Sequence, residues 1–307
     1  MRNNPLIRTL LFVVVLLTLD QTIGFALRTL YNQTFDGDVA GVVNQALANR
    51  NADVIVFGSS RACHHIASPE LSKSLNKRVF NAGIDGYSVI YARALQSELL
   101  RRGTRAKLFL LQVDGDDLFA LGKERLALVT PLAAKNAEVL ALLEAWDPYV
   151  RVKLLFATYP FNSKVLSILS NWRRPPASDQ WVALPPHAGQ PLVAKAVETP
   201  KDATTRPVNA ARVQAIRDFI ASARAADIRV FLFSGPRLHT GAPTALTRRG
   251  WELLATLAEG EGVTFKPLDQ DSHPEFKQAT LYRDAFHLDG EGARLFTSLV
   301  AQELAKP

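Results

Sequence analysis

The chain has 307 residues, 48% of them hydrophobic, with a formal net charge of +7 and a single cysteine. That length and apolar content suit one large domain or one domain with an insertion, and exclude a repeat array, a fibre or a disordered chain. One cysteine excludes an intrachain disulfide and a thiolate metal cluster, and no zinc-finger or RNA-binding motif accompanies the charge, so no metal, cofactor or nucleic acid is expected.

The first element is apolar. Pro5 to Tyr31 has a nearly unbroken apolar centre, Leu10 to Leu19, and a helix from Leu6 to Leu27 would extend about 33 Å, enough for a bilayer core. Arg2 and Arg8 favour an N-terminus-inside orientation. No small-x-small cleavage pattern follows, so residues 1–31 are expected to be a retained signal anchor rather than a cleaved signal or a buried soluble helix. Asp20 and Gln21 interrupt the pattern, because polar groups in lipid need an interface or a partner.

Residues 32–307 read as a second region. After a linker and a short helix, Asp53 to Phe57 reads as a strand ending in Gly58-Ser59-Ser60-Arg61. Arg78 to Phe80 is a second strand, ending in Asn81-Ala82-Gly83-Ile84-Asp85-Gly86, and Ser88 to Arg102 has helical spacing. Ala106 to Val113 is a third strand, broken by Asp114-Gly115-Asp116-Asp117. Residues 119–207 depart from the alternation and read as a large insertion with a helix over Leu126 to Trp146, then Trp172, Arg173, Arg174, Trp181 and a proline-rich stretch. The alternation resumes with a helix over Val208 to Ala226, strands at Ile228 to Phe233 and Val263 to Lys266, a helix over Trp251 to Glu259, and a closing helix from Gly290 to Lys306. Continuous apolar strands alternating with helices predict a mostly parallel sheet covered on both faces, with ligands bound beyond the strands' carboxyl ends.

Three residues carry candidate chemistry. Ser60 follows the first strand at a helix start, where backbone N–H groups face outward; a serine at such a turn is, taken alone, usually an N-cap. Asp284 stands three residues before His287, just ahead of the last helix. A serine nucleophile needs a base, and the base needs an acid to orient it. Arg61 and His239 are candidate substrate-binding residues, and Arg61 could instead pair with an aspartate at the site. His64, His65 and Cys63 are expected to be structural. Trp172, Trp181, Arg173 and Arg174 could form a glycan or membrane platform, or an ordinary packed surface.

The Gly58-x-Ser60 turn, the Asn81-Ala82-Gly83-x-x-Gly86 block and the closing Asp284-x-x-His287-Leu288, in that order, resemble the SGNH (GDSL-like) hydrolase superfamily. They are also similar to its membrane-tethered branch, which includes D-alanyl transfer and alginate-type O-acetylation proteins. The resemblance implies a three-layer α/β/α flavodoxin-like fold, with Ser60 as nucleophile, His287 as general base and acid, and Asp284 orienting His287. It implies an oxyanion hole from the N–H groups of Ser60 and Gly83. The third block of that superfamily carries an asparagine; this chain has aspartates there, leaving Asp117, Asp116 or Asn81 as the third contributor.

The implied function is an extracytoplasmic O-acyltransferase, acetyl by preference, acting on a cell-envelope glycan or polyol. It would stand on the periplasmic side of the inner membrane and be fed by a multi-pass membrane acyltransferase. An envelope esterase would use the same residues, and a scaffold with an unreactive site is the non-enzymatic alternative.

Overall fold

A computed structural model describes residues 4–122, 124–175, 179, 181–189, 192–196 and 203–306. Its helices are α1 (Pro5–Tyr31), α2 (Val42–Ala48), α3 (Ser60–His65), α4 (Ser68–Leu75), α5 (Val89–Arg101), α6 (Ala137–Trp146), α7 (Val150–Lys153), α8 (Val165–Asn171), α9 (Ala210–Ala225), α10 (Ala245–Gly260) and α11 (Gly290–Ala305). Its strands are β1 (Val54–Phe57), β2 (Val79–Asn81), β3 (Leu108–Gln112), β4 (Lys195–Ala196), β5 (Arg229–Ser234), β6 (His239–Thr240) and β7 (Thr264–Pro267). The chain divides into two compact units, residues 1–48 with 126–177, and residues 49–125 with 178–307, so the expected insertion is shared between them.

In the first unit, α1 begins where the Asn4 side chain accepts the Leu6 N–H and Pro5 occupies a position whose N–H needs no partner. It is long and apolar enough to cross a membrane, with a mean hydropathy of 2.1 over its most apolar window. Its last turns pack Leu27 and Tyr31 against Phe161 and Ile168. The helix expected from Leu126 to Trp146 is confined to α6. Pro131 sits in a short 3-10 turn upstream, and the Asn136 side chain accepts the N–H groups of Glu138 and Val139, which starts the helix there.

The second unit holds a five-stranded sheet, every pairing parallel, in the order β2-β1-β3-β5-β7. Counting only these strands the order is 2-1-3-4-5, the flavodoxin-like doubly wound arrangement. Period-two alternation divides the strand side chains between two layers. Val54, Val56, Leu108, Leu110, Phe231 and Phe233 form one core with Ala62, Ile66, Leu71, Phe296 and Val300 of α3, α4, α11 and their loops. On the other face Phe57 packs edge-on against Phe109 and against Phe219 of α9, with ring centroids 5.1 Å apart in each pair. The result is the expected three-layer α/β/α fold. The strand order reverses across β1 and β3, and the loops after these two strands open at the sheet's carboxyl edge. β4 and β6 form a separate short parallel pair.

Candidate active site

β1 delivers the chain to Gly58, whose φ of +148° is open to glycine, and a Cβ there would stand 2.8 Å from Ala62 and Gln112 side-chain atoms. Ser59 follows in extended conformation and donates both its N–H and its hydroxyl to Oε1 of Gln112, at 3.2 and 3.0 Å. Gln112 is a buried polar residue ending an otherwise apolar β3, and this bond ties the β1 turn to the neighbouring strand. Ser60 is then the first residue of α3, where a backbone N–H has no acceptor within the helix.

The other half of the site is the turn before α11. The Asp284 Oδ1 accepts the N–H groups of Phe286 (2.8 Å) and His287 (3.0 Å), folding a tight Asx turn. Asp289 then caps α11 by accepting the N–H groups of Glu291 and Gly292. His287 comes off this turn with Nδ1 3.0 Å from both Asp284 oxygens and Nε2 2.8 Å from the Ser60 hydroxyl. A proton on Nδ1 satisfies the carboxylate and leaves the Nε2 lone pair facing the Ser60 hydroxyl, which donates. Burial raises the Asp284 carboxyl, but the bonds from His287 and the two backbone N–H groups outweigh it and hold the group below its usual range. Asp284 therefore remains the acceptor that orients the ring.

Two further histidines frame His287, and neither was singled out as part of the site from sequence. His65 is fully buried and accepts the Leu288 N–H on Nε2 at 3.0 Å. Burial, reinforced by Arg61 and the neighbouring histidines, holds its imidazole well below the ordinary value, in the neutral form an acceptor requires. His64 stands edge-on to the His287 ring, centroids 5.7 Å apart, with Nδ1 2.8 Å from the Val182 carbonyl and Nε2 3.1 Å from Asp85. Burial opposes its charge, but the Asp85 carboxylate and the Val182 carbonyl raise its value overall, and acceptors at both nitrogens favour the imidazolium form. Trp181 Nε1 also donates to the His64 carbonyl, so residues 181 and 182 of the insertion dock on α3. The Cys63 sulfur, His64 and Asp85 lie within 4.8 Å of one another, but both His64 nitrogens are already hydrogen-bonded, and the set does not match a closed metal site.

The remaining candidates separate by geometry. The Gly83 N–H donates to Oδ1 of Asn81 at 2.9 Å, and a Cβ on Gly83 would approach the Cys63 nitrogen to 2.5 Å. Its glycine serves close packing on α3, and its N–H is already engaged, in place of the expected oxyanion contact. Asn81 is fully buried and spends both amide hydrogens on the carbonyls of Ala62 (2.7 Å) and Ile66 (2.9 Å), leaving it no donor for an oxyanion. Arg61 is buried and ion-paired with Asp114, which also accepts from Ser234, so it lines the cavity with its charge already paired. Burial brings its guanidinium down to about 9, still cationic at neutral pH. Asp116 is held by both terminal nitrogens of Arg237, at 2.9 and 2.6 Å. His239 lines a separate small cleft beside Arg237 and Trp251, with Nδ1 on the Gly241 carbonyl, and is not at the Ser60 crevice.

Asp117 and Asp114 of that block both line the cavity that holds Ser60 and His287, and Asp114 is the one engaged by Arg61. The cavity, of about 400 Å³, is lined by Ser60, His287, Phe286, Tyr87, Asp117 and Arg125, and by Arg212 bonded to Glu124. Burial, then the neighbouring Asp116 charge, raises the Asp117 carboxyl toward its neutral form, against the pull of Arg61, Arg212 and Arg237. A larger hollow of about 550 Å³ at the starts of β3, β5 and β7 contains no serine, cysteine or histidine. The proline-rich part of the insertion falls partly outside the described residues.

No family model matches the chain, and no curated protein matches it. Among solved structures it is similar to a protein of Desulfitobacterium hafniense DCB-2 assigned to the lipolytic G-D-S-L family, at 10% identity over 81% of this chain and 98% of that one, with a TM-score of 0.40. A likeness of that size says nothing about chemistry, which rests on the side-chain geometry alone.

Proposed function

We propose that this chain is an SGNH-type serine enzyme that forms an acyl-Ser60 intermediate and passes the acyl group, acetyl by preference, to a hydroxyl of a cell-envelope glycan or polyol. The observation that carries this reading is the continuous relay from Ser60 through His287 to Asp284, with bonds of 2.8 and 3.0 Å. His287 takes the Ser60 proton as Oγ adds to the acyl carbonyl, then returns it to the departing group. The acceptor hydroxyl next gives its proton to Nε2 as it attacks the acyl-serine, and Ser60 recovers that proton on release. The Ser60 N–H stabilises the oxyanion, and Asp117, on the same cavity, supplies a second donor in its protonated form, where asparagine stands elsewhere in the superfamily.

An apolar α1 supports a role at the membrane, where an acyl donor delivered by a multi-pass membrane protein would meet an acceptor on the extracytoplasmic side of the inner membrane. A hydrolase reading is favoured by exposure: the side chains of His287 and Asp284 are 25% and 49% accessible, which admits water to an acyl-enzyme.

The test is labelling of the full chain with a fluorophosphonate, read by peptide mass. A mass shift on the Ser60 peptide that is lost in Ser60→Ala and His287→Ala supports the serine enzyme; a folded, unlabelled protein rejects it. Release of acetate from an aryl acetate, with and without a glycan acceptor, then divides transfer from hydrolysis.

A further inference from the structure

The first unit carries an apolar surface that the catalytic reading does not use. Asp20, just past the middle of α1, accepts the Ala157 N–H at 2.6 Å, the Thr158 hydroxyl at 2.5 Å and the Thr158 N–H at 3.3 Å. Gln21 donates to the Leu155 carbonyl at 3.3 Å, and a Cβ on Gly24 would overlap Ala157. Residues 155–158 are thus stapled to α1 at the level of residues 20–24. The carboxylate and amide that disturb the apolar run are satisfied by this staple.

That level lies within the apolar length of α1. Ile23 and Phe25 are 50% and 73% exposed, and Phe25 lies about 7.5 Å further along the axis than Asp20. The stapled segment exposes Leu155, at 71%, and Phe156; Val152 precedes it, and Leu166 (83%) and Leu169 lie on α8, whose Ile168 packs against Leu27 and Tyr31 nearer the end of α1. α8 is apolar on two faces: Ile168 packs into the core with Leu27, Tyr31 and Phe161, while Val165, Leu166 and Leu169 point out at helical spacing. Trp172, with the Arg173 guanidinium 4.2 Å from its ring, ends the helix in the amphipathic manner of an interfacial anchor. Charge does not select the occupant, because Arg151 pairs with Glu144, Lys153 with Asp147 and Arg174 with Asp36.

We propose that residues 149–172 form a membrane foot, inserted at the boundary of headgroups and acyl chains in the same bilayer that α1 crosses. The inference rests on the reading of α1 as membrane-spanning. The foot gives the anchor a second, lateral contact with lipid, held at fixed depth by Asp20, and its occupancy depends on apolar burial rather than on anionic lipid.

The test uses the full chain in phosphatidylcholine vesicles. On a Cys63→Ser background, a nitroxide is placed singly at Leu155→Cys, Leu166→Cys, Val13→Cys and Ser298→Cys, and collision with oxygen is compared with collision with a water-soluble nickel chelate. The exposed positions accept the label without repacking a core. The expected result is oxygen-dominated collision at 155 and 166, as at 13, and nickel-dominated collision at 298. Nickel-dominated collision at 155 and 166 with position 13 in lipid overturns the foot and leaves the anchor. Exclusion of both reagents at 155 and 166 overturns it in favour of a second copy covering that face. Nickel-dominated collision at 13 overturns the anchor itself, and the foot with it.

Discussion

The backbone N–H of Leu288 donates to Nε2 of His65, 3.0 Å away, and so joins the residue after His287 to the short helix that begins at Ser60. Ser60 and His287, the proposed nucleophile and base, are 227 residues apart in the chain, yet both are referenced to α3. Replacing His65 with Leu leaves a buried N–H without an acceptor, at a cost of about 1–3 kcal/mol. We expect His65→Leu to lower kcat roughly tenfold with KM little changed, since the ring it positions loses its register. His65→Gln, which restores an acceptor, recovers part of the loss. Urea unfolding and steady-state esterase kinetics on the same samples check both statements.

Removal of either Ser60 or His287 should eliminate most activity, a loss of about 10³-fold or more. The double variant should be little worse than either single one, because the two act as a unit. Asp284→Asn retains the turn but presents the wrong partner to Nδ1, and a loss of about 10²- to 10⁴-fold is expected. Additive losses in the double variant, measured as kcat/KM, contradict a shared relay.

Asp117 makes a pH prediction. Burial, then Asp116, raises its carboxyl, and the protonated form is the one that donates to an oxyanion. Activity should therefore fall as pH rises through that raised value, because ionisation converts the donor into a repelling charge. Asp117→Asn carries a permanent amide donor and should lose this fall, whereas Asp117→Ala should be low at every pH. A kcat/KM profile of the three proteins reads the difference, and an unchanged alkaline limb in Asp117→Asn sinks the assignment.

The raised His64 imidazole links stability to pH. Burial lowers its value but Asp85 and the Val182 carbonyl raise it further, so the folded chain binds this proton more tightly than the unfolded one. The contribution is complete below about pH 6.5 and is lost as pH rises through the higher folded value. In His64→Gln that pH dependence should disappear, measured as the slope of unfolding free energy against pH. Proteolysis after Trp181 should also become faster, since the bonds that dock residues 181 and 182 on α3 include this ring and its carbonyl.

Arg61 and Asp114 are buried together, with side chains 8% and 2% exposed. Among the described residues, removing Arg61 leaves Asp114 only the longer Arg237 contact at 3.9 Å and the Ser234 hydroxyl, so Arg61→Met should cost up to about 3–5 kcal/mol, measured by chemical denaturation. Arg61→Met with Asp114→Leu should recover much of that, which a surface substrate-binding role for Arg61 does not predict.

Much of this architecture was legible in the chain. Apolar runs at Val54–Phe57, Leu108–Gln112 and Arg229–Ser234 alternate with amphipathic stretches, and that local periodicity alone dictates a covered parallel sheet. Ser60, Asp284 and His287 were legible because each stands at a turn whose own sequence forms it: Gly58 before Ser60, and an Asx turn closed by Asp284 itself. Asn136 and Pro131 were equally present, but the apolar run through Leu126–Trp146 concealed the cap that starts α6 late.

Tertiary structure decided which polar side chains face the crevice. Sequence motifs single out Gly83, Asn81, Arg61 and Asp117 alike, yet Gly83 and Asn81 spend their hydrogen bonds inside the fold, Arg61 lines the cavity with its charge paired to Asp114, and Asp117 lines it beside Ser60 and His287. A donor's availability depends on what the rest of the chain brings within 3 Å of it, and partners as distant as Asp20 and Ala157 are set by packing, not by local pattern. Sequence determines the turns and the faces; only the folded chain assigns each polar group its partner, because a hydrogen bond is a fact about two positions at once.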